Sequence, residues 1–248
     1  MLALPALIQI DRNKKAEVGL VDKTRAWLEK DSSDRKGIHA SDLLDPRKAY
    51  YDKTQTKVPL SERLVGLFFV GKVLHAFFLS ALTGEDGVNW KSDGGSTIDK
   101  TLGISYSPDW CKNGVPGELK TSRGKYEMRP SDLSLYLEQL MIYMTGEKST
   151  YGRLVVLMTN LPAPPGQGWG TYPQYRCFDI NVTKTALAEY AKQIIRVRKA
   201  LVLALKTKKA KNINALPLCR EFKCGKSQCP HYLVCKPEGR FGTKRWDK

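Results

Sequence analysis

Acidic residues are scarce in this chain: 25 Asp and Glu stand against 41 Lys and Arg in 248 residues, a formal net charge of +16. That imbalance describes partners and solubility rather than fold, and leaves nucleic acid or an anionic membrane as the candidate polyanion. A clean membrane-spanning run is also lacking. The longest apolar stretch, Leu64 to Leu82, has about the length that crosses a bilayer, but Lys72 and His75 sit near its centre with two glycines. A lysine there costs roughly 2.5–3.5 kcal/mol to insert, so the stretch reads as a buried helix. The opening run Met1 to Ile10 lacks a basic n-region, and Asp11 and Arg12 follow without a small-residue cleavage site. A secretory leader is therefore not expected, and the cytoplasm is the expected compartment. Six cysteines are too few to staple a chain of this size, and four of them crowd into Cys219, Cys224, Cys229 and Cys235. Internal repeats are absent, and low complexity is confined to the Pro- and Gly-rich loop Leu161 to Gly170.

What is present suffices for a core. With 42% hydrophobic and 9% aromatic residues, disorder throughout and a collagenous fibre are excluded. The length fits one large domain or a domain with an appendage. Residues up to about Lys30 form a polar segment with an amphipathic hint in Val18, Val21 and Leu28, and Asp31 to Lys36 reads as a charged loop. Ser41 can cap a short helix through Leu43, Leu44, Tyr50 and Tyr51, with Pro46 at what could be its first turn. The long buried helix covers Leu60 to Leu82 and ends at Thr83 and Gly84. Three strands follow as a meander, Thr97 to Leu102, Ile104 to Cys111 and Val115 to Thr121, divided by Gly103 and by Asn113-Gly114. Pro130 and Ser131 open a helix with Leu133, Leu137, Leu140, Met141 and Met144 at helical spacing, closing at Gly146. Strands Gly152 to Thr159 and Gln174 to Ile180 flank the Pro/Gly loop, and a last helix, Lys184 to Leu205, runs into the basic stretch Lys206 to Lys211. This order predicts an α/β core with one mixed sheet.

The sharpest chemical signal is Gly117-Glu118-Leu119-Lys120 on the third strand, preceded by Ser107-Pro108-Asp109 on the second. Alternation along a strand puts Glu118 and Lys120 on one face and Leu119 on the other. A hairpin through Asn113-Gly114 can bring Asp109 alongside. Two converging carboxylates repel unless a cation lies between them, and hard oxygen donors suit Mg²⁺ or Mn²⁺. A lysine two positions on can hold the attacking water and meet charge developing on a phosphate. Taken alone, the tripeptide reads first as an exposed strand face with a Glu/Lys pair. His75, in an otherwise apolar helix, is either a core histidine or a ligand. Gln139 and Tyr143, four apart, share a helix face.

In order, His75, Asp109, Glu118-Leu119-Lys120 and Gln139-x-x-x-Tyr143 resemble the PD-(D/E)XK nucleases, specifically the RecB-like branch with its histidine motif and Q-x-x-x-Y helix. The resemblance implies a restriction-endonuclease-like core: a mixed central sheet flanked by helices, with a C-terminal cysteine-rich metal module. On that reading residues 1–37 are an N-terminal extension, 38–211 the nuclease core, and 212–248 a metal-binding tail closing onto it. It further implies that His75, Asp109, Glu118 and the Leu119 carbonyl bind the divalent metal. Lys120 would orient the water, and Gln139 with Tyr143 would position the site or the DNA.

The segment His39-Ala40-Ser41-Asp42-Leu43-Leu44-Asp45-Pro46-Arg47-Lys48-Ala49-Tyr50-Tyr51 looks like the N-terminal signature of the CRISPR-associated RecB-like nucleases. Those proteins place a cysteine just before Pro-Arg, which joins three near the C-terminus around a [4Fe-4S] cluster. Here that position is Asp45, and the tail carries four cysteines in place of three. Cys219 could take over the missing ligand. On chemical grounds alone, four close thiolates suit Zn²⁺ or an Fe–S cluster, and His231 could replace one of them in the Zn²⁺ version. Cys111 and Cys177 read as ordinary strand residues.

Charge supplies the substrate class. Arg47, Lys48, Lys53, Lys57, Arg123, Lys125 and Arg129 adjoin the expected site, and Trp110, Tyr126 and Tyr136 offer stacking surfaces for unpaired bases. The expected DNA contacts are Arg47, Lys48, Arg123, Lys125 and Tyr126. Binding would be salt-dependent and largely sequence-independent. The resulting expectation is a Mg²⁺- or Mn²⁺-dependent deoxyribonuclease, an exonuclease preferring single strands or frayed ends, with CRISPR adaptation proteins as further partners. Two rivals stay open: a RecB-like repair or phage recombination nuclease using the same residues, and a non-catalytic DNA-binding adaptor with the same fold.

Overall fold

The computed structural model describes residues 14–32, 37–55, 59, 61–86, 97–122, 133–162, 171–217, 229 and 231–235. In chain order the elements are α1 (Lys14–Ser32), α2 (Ala40–Leu44), α3 (Pro46–Thr54), α4 (Glu62–Asp86), β1 (Thr97–Asp99), β2 (Ile104–Tyr106), β3 (Trp110–Lys112), β4 (Val115–Ser122), α5 (Ser134–Glu147), β5 (Tyr151–Pro162), β6 (Thr171–Asn181), α6 (Lys184–Thr207), α7 (Ala210–Asn214) and α8 (Tyr232–Cys235). The chain divides into two compact units, residues 1–35 with 59–73 and residues 36–58 with 74–248. Among the described residues no helix is long and apolar enough to cross a membrane.

The second unit is built on a four-stranded sheet in the order β3-β4-β5-β6. β4 and β5 run parallel, while β3 and β6 are antiparallel to their neighbours, so the sheet is mixed. The expected single meander is corrected. β1 and β2 form a separate antiparallel pair, because the run expected from Ile104 to Cys111 breaks at Ser107-Pro108-Asp109. Pro108 has no N–H to give a ladder. The Asp109 amide instead donates to the Gly117 carbonyl of β4 at 3.1 Å. The β3–β4 hairpin closes where it was expected, with Asn113 at φ 52° and Gly114 at φ 76°, both left-handed as a tight two-residue turn requires.

One face of the sheet is covered by α5, whose Leu140 and Met144, with Leu133 at its N-cap, pack on Leu154, Val156 and Met158 of β5. On the opposite face Trp110, Leu119 and Val155 form a small cluster against Phe78 of α4. A further cluster joins α2 (Ala40, Leu43, Leu44), β2 (Ile104, Tyr106), α5 (Ile142, Tyr143) and α6 (Ile194, Val197). α6 begins at Thr183, whose hydroxyl accepts the Ala186 amide at 3.1 Å. Gly146, expected to end α5, lies inside it: a Cβ there would come within 2.5 Å of the Tyr106 ring, so its role is close packing. The helix ends at Lys148, in left-handed conformation at φ 55°.

The helix expected from Ser41 is two helices. It starts at Ala40 behind His39, whose amide donates to Asp42 Oδ2 at 2.9 Å, and it breaks at Asp45, which leaves helical geometry at φ −136° and ψ 65°. Pro46 then opens α3 in the position where its missing N–H costs nothing. α4 departs from its expected burial. Phe68, Phe69, Val70, Val73 and Phe77 are exposed, Phe77 by 74%. Apolar residues occupy every side of this helix, so packing along one stripe leaves others uncovered.

α3 packs on α6 and the segment after α7 through Ala49, Tyr50, Tyr51, Leu201, Ala204 and Leu216. Arg47 lies within this contact, 2% exposed, and its Nη2 donates to the carbonyls of Asn214 (2.8 Å) and Leu216 (2.9 Å). Its expected place on a DNA-facing surface is therefore corrected: the guanidinium seals the end of α7. Removing it leaves two carbonyls without their charged donor, and hydrogen bonds to charged groups contribute about 1.5–3 kcal/mol each. Arg47→Ala should lower unfolding free energy by about 2–4 kcal/mol in urea titration, with DNA affinity of the folded fraction unchanged. A loss of affinity without loss of stability would return Arg47 to the DNA surface.

Candidate active site

β4 carries the site because β5 pairs along it on one edge while β3 reaches only as far as Gly117 on the other, and its side chains are fixed in alternation. Glu118 and Lys120 face the same way as Leu154 and Val156, their parallel partners on β5, and so lie on the α5 face. Leu119 points the other way and is fully buried with Trp110 and Val155. Gly117 precedes them for a packing reason: the Trp110 indole occupies the space a Cβ would take. No local pattern other than that glycine announces the contact. Trp110 is only 5% exposed as a result, which corrects its expected role as an open stacking surface.

Glu118 is 1% exposed. Its Oε1 accepts from the Lys120 ammonium, while Oε2 is buried without a hydrogen-bond partner. Burial pushes the Glu118 carboxyl up to about 8; Lys120 pulls against that rise and Asp109 adds to it. Burial likewise works against the Lys120 charge, yet Glu118 and Asp109 outweigh it and raise the ammonium above its ordinary value. Lys120 thus stays charged across the neutral range. Burial also raises the Tyr136 phenol, with Lys120 opposing, so the two side chains feel each other's charge.

Asp109 reaches the same strand from its open edge. The Leu119 amide donates to Asp109 Oδ2 at 2.6 Å, and His75 Nδ1 of α4 lies 3.4 Å from Asp109 Oδ1. A strand residue's N–H and C=O point to the same edge. The Leu119 carbonyl is therefore directed past the end of β3, on the side where Asp109 stands. On α5, Gln139 Nε2 donates to Tyr143 Oη at 2.6 Å, and the buried tyrosine ring sits 6.0 Å from Tyr106. Tyr136 and Gln139 are one turn apart, a spacing that places the glutamine beside the residue coupled to Lys120. That hydroxyl near Lys120 was not part of the sequence expectation for the site, though 136, 139 and 143 repeat as one helix face.

The structure thus gathers His75, Asp109, the Leu119 carbonyl, Glu118 and Lys120. Among the described residues no three His, Cys, Asp or Glu side chains are grouped closely enough to hold a metal ion as they stand. The donor set nonetheless fits a hard divalent cation: Glu118 Oε2 is an unmet buried oxygen, and burial with Asp109 alongside disfavours the Glu118 charge unless positive charge is supplied.

Of the expected DNA contacts, Lys48 is half-exposed and ion-paired with Asp52 at 2.5 Å. Arg123, Lys125 and Tyr126 lie outside the described residues, as do Cys219 and Cys224. Cys229 is buried, and burial raises its thiol; Lys48, Cys235 and Asp52 are near enough to act on it. Cys235 packs on the α3 cluster. Between them His231 bonds Asp52 Oδ1 through Nε2 at 2.7 Å and stacks on Tyr51 at 5.6 Å. One of its nitrogens is therefore already engaged.

Neither a family model nor a curated protein matches the chain. Solved structures with some likeness include a protein named SSO0001, at 21% identity over 73% of this chain and 86% of that one, with a TM-score of 0.49. Another is an alkaline exonuclease (LHK-Exo) from Laribacter hongkongensis, at 16% identity over 71% and 94%, TM-score 0.42. The same exonuclease in complex with dAMP gives 15% identity over 72% and 94%, TM-score 0.45. Likeness of this degree says nothing of what the present chain does.

The Glu118 environment sets a pH dependence. A carboxyl whose folded value, about 8, exceeds its ordinary 4.5 favours the folded state while protonated in both states. Stability is then lost as pH rises through that window. The melting temperature of metal-free protein should fall between pH 5 and 8, and Glu118→Gln, which cannot ionise, should flatten the fall. An equal slope in the variant would remove Glu118 as its source.

Proposed function

We propose that this chain is a divalent-metal-dependent deoxyribonuclease that hydrolyses phosphodiester bonds. The observation that carries the reading is Glu118: a carboxylate buried in a central strand, coupled to Asp109 and Lys120, with one oxygen unmet. A structural strand gains nothing from burying Glu118 next to a second carboxylate that disfavours its ionisation. Phosphate chemistry does, since those groups concentrate positive charge where a dianionic transition state develops.

His75, Asp109, Glu118 and the Leu119 carbonyl would hold Mg²⁺ or Mn²⁺, which when bound polarises a phosphoryl oxygen and lowers the pKa of water. The chain's own residues do the rest. Lys120, kept charged by its two carboxylates, donates to the attacking water or a non-bridging phosphate oxygen and meets the charge that builds there. Tyr136 acts on that ammonium from α5, and Gln139, one turn on and bonded to Tyr143, would position the site or the DNA. Asp109, pinned by the Leu119 amide, keeps its second oxygen toward His75.

At a finer level we read the chain as an exonuclease preferring single strands or frayed ends, of the CRISPR-associated RecB-like type. The order of His75, Asp109, Glu118-Leu119-Lys120 and Gln139-x-x-x-Tyr143 supports this, and the +16 charge supports a DNA substrate. One observation favours a second reading, a RecB-like repair or phage recombination nuclease: Asp45 stands where the CRISPR-associated proteins place a cysteine. In either case Cys219, Cys224, Cys229 and Cys235 would hold a [4Fe-4S] cluster, or Zn²⁺ in its place. Support comes from the placement of Cys229 and Cys235 on one patch of α3.

Glu118→Ala and Lys120→Ala should each reduce Mn²⁺-dependent degradation of end-labelled single-stranded DNA by on the order of 10² or more, with DNA binding held within a few-fold. EDTA should stop the wild-type reaction. Near-normal turnover of either variant in excess Mn²⁺ removes that residue from the site. DNA binding without metal-dependent cleavage by the wild type makes the chain an adaptor.

The tail gives a separate measurement. Anaerobically purified protein should be brown with about four Fe per chain, whereas a colourless protein with about one Zn²⁺ selects the alternative. Cys219→Ser should lose the metal and Asp45→Ala should keep it; the reverse pattern makes Asp45 the fourth ligand.

A further inference from the structure

The first unit holds none of the residues assigned to hydrolysis, yet it carries an organised aromatic surface. Trp27 of α1 is 50% exposed and Phe69 of α4 43% exposed. Their rings meet edge to face, centroids 6.3 Å apart at 76°. Lys72, one turn beyond Phe69 on α4, places Nζ 5.1 Å from the centre of the Trp27 ring. Lys23, exposed, stands one turn before Trp27 on α1. An indole left half-open by the fold carries a large apolar surface into water. Here that surface is braced by a phenyl edge and crowned by an ammonium.

We propose that Trp27, Phe69 and Lys72 form a stacking subsite for the unpaired bases of single-stranded DNA. The proposal rests on the nuclease reading for its substrate class and adds to it a binding element outside the hydrolytic residues. The chemistry favours this occupant on three counts. A free base presents a π-face to the open indole, worth about 1–3 kcal/mol per base. The ammonium at that ring can pass to the phosphate of the stacked nucleotide, since both are single-bond rotations of a flexible side chain. Lysine, moreover, is depleted from the centres of protein–protein contacts, so its place at the ring fits a nucleic acid better than a protein partner. Duplex DNA keeps its base faces stacked internally and offers only backbone and groove edges, so the subsite discriminates for unpaired strands.

The test is affinity for a labelled oligothymidylate, measured by anisotropy on the full chain without divalent cation over a series of salt concentrations. Trp27→Ala should weaken binding by about 5- to 100-fold with the salt slope unchanged. Lys72→Ala should make that slope shallower by about 0.7. Trp27→Phe, which keeps an aromatic face, should recover affinity to within about three-fold of wild type, a recovery that separates lost stacking from lost fold. Wild-type affinity in Trp27→Ala, failure of Trp27→Phe to recover it, or a self-associated wild type that Trp27→Ala converts to monomer would each overturn the subsite, the last in favour of a protein contact. Adding Mn²⁺ to the same strand reads the nuclease separately: cleavage with Trp27-independent binding sinks only the subsite, and Trp27-dependent binding without cleavage sinks only the nuclease.

Discussion

The site depends on one hydrogen bond, from the Leu119 amide to Asp109 Oδ2 at 2.6 Å. β3 stops pairing with β4 at Trp110 and Gly117, so beyond that point no strand among the described residues meets the edge of β4 on that side. A backbone N–H left there in a partly buried place would be costly. A carboxylate accepts it more strongly than a carbonyl would. In doing so it fixes Asp109 beside Glu118 and turns its other oxygen to His75. The break in the ladder at Pro108 is thus what makes room for chemistry. A continuous β3 would satisfy the amide and leave no acid at the edge.

Much of this was legible in the sequence, because alternation and turn chemistry are local. Asn113-Gly114 marks the hairpin, and Gly117-Glu118-Leu119-Lys120 states which side chains share a face. Other features answer to distant partners and leave no local trace. Gly146 looks like a helix end and is in fact a space for the Tyr106 ring. Trp110 looks like an exposed aromatic near a basic segment, but the absent Cβ of Gly117 draws it into the sheet's far face. Arg47 sits in a charged run and reads as a surface residue, whereas its acceptors lie 167 and 169 positions away. α4 misled in the other direction, since apolar composition alone does not say which side of a helix finds a partner.

α3 is the common anchor of two C-terminal segments of the second unit. Its Arg47 holds the carbonyls after α7, and one turn on, Tyr51 and Asp52 hold His231. Lys48 bonds Asp52 from the same helix, so the carboxylate that takes the imidazole is itself oriented. Cys229 and Cys235 come to α3 with that histidine between them. A helix of nine residues therefore decides where the cysteine-bearing segment is presented, before any metal is considered.

Arg47 also imposes an order of assembly on a chain made from its N-terminus. The acceptor at Leu216 lies 169 residues downstream, which at roughly 5–20 residues per second arrives about 8–34 s after Arg47 itself. For that interval α3 has no carbonyls to receive its guanidinium, and sealing it early against the nascent sheet would strand a charge in an apolar contact. The β4 strand with Glu118 and Lys120 is complete long before. The helix that anchors both C-terminal segments must accordingly close on a core already formed.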